Sequence, residues 1–227
     1  MHLLLKQLGT DIRELLNGAR AVVRRHRMAF LIGLAVFAAA TAVLLPHDAL
    51  LMQRYTDQTT PLMRRIARRV SRYGNYPYLI PVLSGGFLLA GWSFKRRRWV
   101  NVGLACFFAA SLSGLTTDVI RASVGRPRPS VRVADGVYGP HVGSSYFSFP
   151  SGHSTVAFAT ASSITVMCPA LGVPLFGGAT AVAWSRIYLR AHHPSDVVMG
   201  AGIGILFGIA FGLAARRREE ESAASPG

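Results

Sequence analysis

The sequence predicts an all-α integral membrane protein, a bundle of six transmembrane helices with an interfacial amphipathic helix between the first two spans. Three observations carry this. The 227 residues are 51% hydrophobic and only 15% charged, with a mean hydropathy of +0.33. That is too apolar for an ordinary soluble domain and long enough for one membrane bundle. The apolar residues gather into uncharged runs of about membrane length. Short basic blocks, rather than mixed-charge loops, separate several of these runs.

The elements follow in order. Residues 1–27 form a basic leader in which Leu3, Leu4, Leu5, Ile12, Leu15, Leu16, Val22 and Val23 keep a loose helical period, so an amphipathic helix at the membrane surface is expected. No small-residue cleavage site follows, and the first apolar run, 28–45, is read as a retained span ended by Pro46. Within 61–72, Arg64, Arg65, Arg68, Arg69 and Arg72 share one helical face. Leu62, Met63, Ile66 and Val70 fall largely on the other. A helix lying on headgroups fits this pattern, and a solvated basic loop is the alternative. Residues 78–94 and 99–117 are the second and third spans, antiparallel because only Lys95-Arg96-Arg97-Arg98 joins them. Residues 154–184 carry no charge and exceed one span. Pro169 and Gly172-Val173-Pro174 divide them into two helices joined near 169–174. The last span, 197–215, repeats glycine at 200, 204, 208 and 212, one face that lets a neighbouring helix approach closely. The membrane domain is thus 28–215, and 216–227 is a polar tail expected to be disordered from Glu219 onward.

Three polar clusters punctuate this apolar chain. They are Arg121-x6-Arg128-Pro129, Pro150-Ser151-Gly152-His153 and Ser185-Arg186-x5-His192-x3-Asp196. With six spans, all three reach the same side of the membrane. If 154–184 crossed only once, the second and third would be on opposite sides. The positive-inside comparison is nearly even. Setting aside the phosphate-directed arginines tips it towards a cytoplasmic N-terminus and an exoplasmic site.

The residue types suit phosphate chemistry. Guanidinium groups at Arg121, Arg128 and Arg186 bind phosphate oxygens in a forked geometry and keep their charge. Ser151 is a good N-cap, and Gly152 lets backbone approach an anion at a helix start. His153 is placed to protonate a leaving oxygen. Asp196 can reach one nitrogen of His192, fixing the tautomer and leaving Nε2 free as nucleophile or base. Asp118, one turn before Arg121, is expected to hold that arginine. His193 is expected to be structural. In the 130–149 loop, His141, Tyr138, Tyr146, Phe147 and Phe149 form either an interfacial anchor or a lid. Arg126 is either a further substrate cation, favouring a diphosphate, or a headgroup contact. Cys106 and Cys168 lie in apolar runs, and no cofactor or metal is expected. The net charge of +15 is read as contact with anionic lipid and not nucleic acid, because the basic residues sit between apolar runs.

Together the clusters resemble the type 2 phosphatidic acid phosphatase family, whose superfamily also holds soluble vanadium haloperoxidases and acid phosphatases. Its pattern is Lys-x6-Arg-Pro, Pro-Ser-Gly-His and Ser-Arg-x5-His-x3-Asp. The second and third elements match at every fixed position, and the first has Arg121 in place of Lys. The resemblance covers about 78–215. It implies six membrane helices, an exoplasmic site and metal-independent hydrolysis of a lipid phosphate. It also implies that His192 attacks phosphorus to give a phosphohistidine and that Asp196 polarises His192. His153 would protonate the leaving group and then activate water, while Arg121, Arg128, Ser151, Gly152 and Arg186 cradle the phosphate. The expected substrates are phosphatidic acid, phosphatidylglycerol phosphate, a polyprenyl diphosphate or lipid A phosphate. A lipid phosphotransferase would use the same inventory. A transporter of anionic headgroups would leave His192, Asp196 and His153 without a purpose.

Overall fold

The computed structural model describes residues 2–57, 59–131 and 133–224. Its elements are helical throughout. The leader forms α1 (His2–Arg25), and a break at His26 (φ −110°, ψ 27°) separates it from α2 (Arg27–Leu44). A 3-10 turn then leads into α3 (Asp48–Asp57). The amphipathic stretch forms α4 (Pro61–Tyr73), with Thr60 Oγ1 accepting from the Met63 N–H at 3.2 Å as its N-cap. Next come α5 (Tyr76–Ile80), a π turn over Pro81–Gly85, and α6 (Gly86–Ser93). Pro81 lacks the N–H that an α-helical continuation needs, which favours the wider turn there. The remaining helices are α7 (Arg97–Val124), α8 (Gly152–Met167), α9 (Pro169–Tyr188) and α10 (Pro194–Ala224).

Among the described residues, three helical stretches are long and apolar enough to cross a membrane: Arg27–Tyr55, Arg97–Val124 and Pro194–Ala224. The surface agrees with a lipid setting. Leu31, Ile32, Val36 and Val43 on α2 are 58%, 59%, 59% and 67% exposed, a continuous apolar face that a water-soluble monomer rarely carries.

Two expectations are corrected. The break in the long uncharged run falls at Cys168 (φ −142°, ψ 78°), and Gly172-Val173-Pro174 remain inside α9. Pro169 takes the first helical position, where a missing N–H costs nothing. A side chain at Gly172 would run into the backbone of Thr165 on α8, so the α8–α9 hairpin depends on that glycine. The tail is helical to Ala224 instead of disordered from Glu219. Arg216 meets Glu220 at 3.1 Å, and Arg218 meets Asp11 at 2.6 Å, holding the last turns of α10 against α1. Residues 225–227 lie outside the described residues.

The glycine stripe behaves as its spacing predicts. A Cβ at Gly200 would lie 2.5 Å from the Ser151 carbonyl oxygen, and one at Gly204 would collide with that of Thr155. The contact of α10 with α8 is therefore close enough for backbone to touch backbone, and it registers the start of α8 against the start of α10. The helices place two distinct ends. At one, the end of α7, the start of α8, the end of α9 and the start of α10 converge. At the other, Asp11 pairs with Arg97 at 3.0 Å, and Arg98 Nη2 donates to the Met167 carbonyl at 3.0 Å. A core of Leu15, Val22, Val102, Ala105, Ile164 and Phe211 lies towards this second end.

Candidate active site

The three polar clusters meet at the first end. α7 stops at Gly125, whose positive φ of 60° closes the helix after Arg121. The chain then runs through Arg126-Pro127-Arg128-Pro129, loops out, and returns beside itself, the Ser148 N–H donating to the Arg126 carbonyl at 3.1 Å and the Arg128 N–H to the Ser145 carbonyl at 2.9 Å. The Ser151 N–H donates to the Asp196 carbonyl at 2.9 Å, which ties the second cluster to the third.

Arg121 lies over the start of α8, since a Cβ at Gly152 would be 3.0 Å from its Nη1. Asp118 pairs with Arg121 as the spacing predicted, and the guanidinium stands 5.7 Å from the centroid of Phe147. Ser151 takes the N-cap position but makes no side-chain cap. Its hydroxyl accepts from Ser154 Oγ at 3.1 Å instead. The first-turn N–H groups of α8 have no intrahelical carbonyl to meet. Arg186 closes α9 and donates from Nη1 to Ser71 Oγ on α4. His153, in the first turn of α8, stands within electrostatic reach of Arg186, Arg121 and Arg128.

Arg121, Arg128 and Arg186 share one property. The Nε of each is buried and has no hydrogen-bond partner. A guanidinium donor left in that state costs free energy unless an acceptor meets it. Burial holds the Arg128 side chain below the ordinary arginine range, against the pull of Asp196.

His192 is 1% exposed. Its Nδ1 lies 2.7 Å from the Ser148 carbonyl oxygen and 3.9 Å from the nearer Asp196 oxygen. The expected direct bond from His192 to Asp196 is thus replaced. A carbonyl accepts only from N–H, so Nδ1 carries the proton and Nε2 carries the lone pair. Burial pushes the imidazole well below its usual range, and Arg186 and Arg128 add to the effect while Asp196 opposes it. The ring is therefore neutral at pH 7. Asp196 instead accepts from Ser148 Oγ at 2.6 Å and the His193 N–H at 2.7 Å. It thereby holds both segments that grip His192.

Arg126 faces neither substrate space nor headgroups. It is 3% exposed. Its Nη1 donates to Asp196 at 2.7 Å and Ser195 Oγ at 2.8 Å, its Nη2 to Asp48 at 2.9 Å and Asp135 at 2.5 Å, and its Nε to Asp135 at 2.9 Å. These bonds outweigh its burial and raise its pKa, so the charge is permanent. The same pair holds the Asp135 carboxyl below its ordinary range. With three carboxylates around it, Arg126 has no charge to spare for a second phosphate. Asp48 also accepts from the Ser195 N–H at 3.0 Å, capping α10. Asp48, Asp135, Ser148, Ser195 and Ser71 were not foreseen. A lone carboxylate directly after the Pro46 span end was the one available signal for Asp48. His193 Nδ1 stands 3.3 Å from Asp196. His141 stacks on Tyr146 at 4.1 Å, packing the loop upon itself.

The family model of the PAP2 superfamily matches residues 102–220, more than half of the chain. The chain belongs to the PAP2 superfamily. Among its relatives, the lipid A 1-phosphatase of Rhizobium johnstonii is 33% identical over 111 residues, covering 48% of this chain and 46% of the relative. The match therefore spans about half the length of that protein. The decaprenylphosphoryl-5-phosphoribose phosphatase of Mycobacterium tuberculosis is 34% identical over 152 residues, 65% of this chain and 78% of the relative. The crystal structure of a transmembrane PAP2-type phosphatidylglycerolphosphate phosphatase from Bacillus subtilis superposes with a TM-score of 0.61 at 21% identity, covering 86% of this chain and 96% of that one. That likeness shows the PAP2 membrane fold, and the relatives' names point to phosphate on lipids.

Proposed function

We propose that this PAP2 protein is an integral membrane lipid phosphatase that cleaves a phosphomonoester or diphosphate through a phosphohistidine, without a metal. The observation that carries the reading is the trio of buried, unpartnered Nε groups on Arg121, Arg128 and Arg186. These are the three arginines whose spacing fits the family motifs, and a phosphate is the acceptor they lack. Ser151 and the backbone at Gly152 complete the cradle at the start of α8.

His192 Nε2, its lone pair exposed by the Nδ1–Ser148 bond, attacks phosphorus as the bond to the leaving oxygen breaks. His153 supplies the proton to that oxygen. It then takes a proton from water, which displaces the histidine and releases phosphate. The arginines offset charge on the equatorial oxygens. Asp196 positions His192 through Ser148 and the His193 backbone. Six spans, with α1 and α4 at the interfaces and the catalytic end on the periplasmic face of a bacterial inner membrane, fit the basic blocks at the opposite end. The substrate class is a phosphate borne on a lipid, as in the names of the relatives, with phosphatidic acid, phosphatidylglycerol phosphate, a polyprenyl diphosphate and lipid A as candidates. Arg126 lends no preference for a diphosphate, because its charge is already balanced.

The test is phosphate release by the purified protein in detergent with chelator present, on phosphatidic acid, phosphatidylglycerol phosphate and undecaprenyl diphosphate. Release that resists chelator and disappears in His192→Ala is the expected result. Near-wild-type release by that variant overturns the histidine mechanism.

A further inference from the structure

Along the flank of the bundle, from the end opposite the catalytic residues, α1, α2, α7 and α10 line a groove of about 960 Å³, near the upper limit of the roughly 300–1,000 Å³ typical of ligand sites. Its walls are almost wholly apolar, with Phe30, Leu112 and Ile203 among them, and its rim carries Arg20, Arg24 and Arg27. The rim arginines come together because α1 breaks from α2 at His26, which sets the last turns of α1 beside the first residue of α2. Arg20 and Arg24 are one turn apart on the same face, where like charges repel.

Several other arginines at this end have acidic partners. Arg97 and Arg218 share Asp11, Arg218 also meets Glu14, Arg98 meets Glu219 and Arg216 meets Glu220. Asp11, Glu14, Glu219 and Glu220 are thereby occupied, and Arg20, Arg24 and Arg27 have no acidic partner among the described residues. Along α10 the groove runs from Met199 to Phe211, about 18 Å of helix at 1.5 Å per residue. One leaflet of a hydrocarbon core is about 15 Å deep, half of the roughly 30 Å total. An unpaired cationic rim at one end of an apolar groove about one leaflet long complements an anionic phospholipid in shape and charge.

We propose that this groove binds an anionic diacyl phospholipid, its phosphate on Arg20, Arg24 and Arg27 and its acyl chains along α10, as a resident lipid distinct from the substrate. The site stands apart from the catalytic reading, since none of its residues belongs to the phosphate cradle. The same groove does reach Ile120 and Phe149 near the catalytic end, so the rival occupant is the substrate's own hydrocarbon tail.

Delipidated protein in detergent is titrated with dioleoyl phosphatidylglycerol or dioleoyl phosphatidylcholine, and bound lipid is counted by native mass spectrometry. The wild type is expected to retain phosphatidylglycerol at least tenfold better than phosphatidylcholine. The triple variant Arg20→Gln, Arg24→Gln, Arg27→Gln is expected to lose that advantage while its lipid-free melting temperature is unchanged. Leu34→Trp fills the groove from a position that is 44% exposed, so it leaves the core intact, and it is expected to expel phosphatidylglycerol with the arginines in place. Equal retention of both lipids by the wild type, or undiminished phosphatidylglycerol on the triple variant, overturns the proposal. So does a Leu34→Trp protein that keeps phosphatidylglycerol but shows a raised KM for lipid substrate, which assigns the groove to the substrate tail.

Discussion

Replacing Arg126 with methionine removes one guanidinium and leaves three carboxylates facing one another. Asp48 and Asp196 are 1% and 0% exposed, and Asp135 is 45% exposed. Breaking a buried pair by deleting one partner costs about 3–5 kcal/mol, because the stranded charge stays desolvated. For a chain of this size 1 kcal/mol moves Tm by roughly 2–4 °C, so Arg126→Met should melt about 6–20 °C below the wild type. Arg126→Lys keeps the charge but has three donors on a single nitrogen. It cannot span Asp135, Asp48, Asp196 and Ser195, which the guanidinium reaches through three nitrogens. Lysine should therefore lose a smaller part of the stability. Activity should fall in both variants, because Asp196 holds the segments around His192 only while it is itself held. Without the cation the Asp135 carboxyl loses the bonds that hold it low, so the native Met variant binds extra protons and its deficit should shrink from pH 7 to pH 5. The assay is thermal melting in detergent at both pH values, beside phosphate release. An Arg126→Met protein that melts within 2–3 °C of the wild type would refute the reasoning. So would a variant whose sole defect is a higher KM for diphosphates, since that outcome returns Arg126 to the substrate.

Two further predictions follow from neighbouring contacts. Ser71→Ala removes the hydroxyl that holds Arg186. A hydrogen bond to a charged group contributes about 1.5–3 kcal/mol, so kcat/KM should fall by at least tenfold with Tm preserved and Ser71→Thr restoring it, and unchanged kinetics would remove Ser71 from any positioning role. His192 is held neutral by burial, with its folded pKa well below the ordinary value. Below about pH 6.5 the unfolded chain takes up a proton that the native ring refuses, so native stability is full above that pH and declines by up to about 1.4 kcal/mol per unit as pH falls. Melting curves at pH 7, 6 and 5 should show a shallower decline for His192→Gln, and parallel declines would contradict a buried neutral ring.

Much of this protein was legible along the chain. Uncharged runs and their punctuation by proline marked the helices, because a chain in lipid must satisfy its backbone within each helix. Counting spans placed the three clusters on one side, and the structure brings Arg121, Ser151, Arg186 and His192 to one end of the bundle. The glycines of α10 announced a close neighbour, since a missing side chain every fourth residue leaves a groove whatever fills it. Family spacing named the residues of the candidate site.

What the chain did not announce is who holds whom. Arg126 read as a spare cation, yet it binds Asp48, 78 residues away, and Asp196, 70 residues away. His192 read as the partner of Asp196, yet its Nδ1 faces the Ser148 carbonyl. Such pairings depend on which side chains the packed helices desolvate together. A charge in a sequence has no partner until folding removes its water, and only then does the nearest opposite group decide its role.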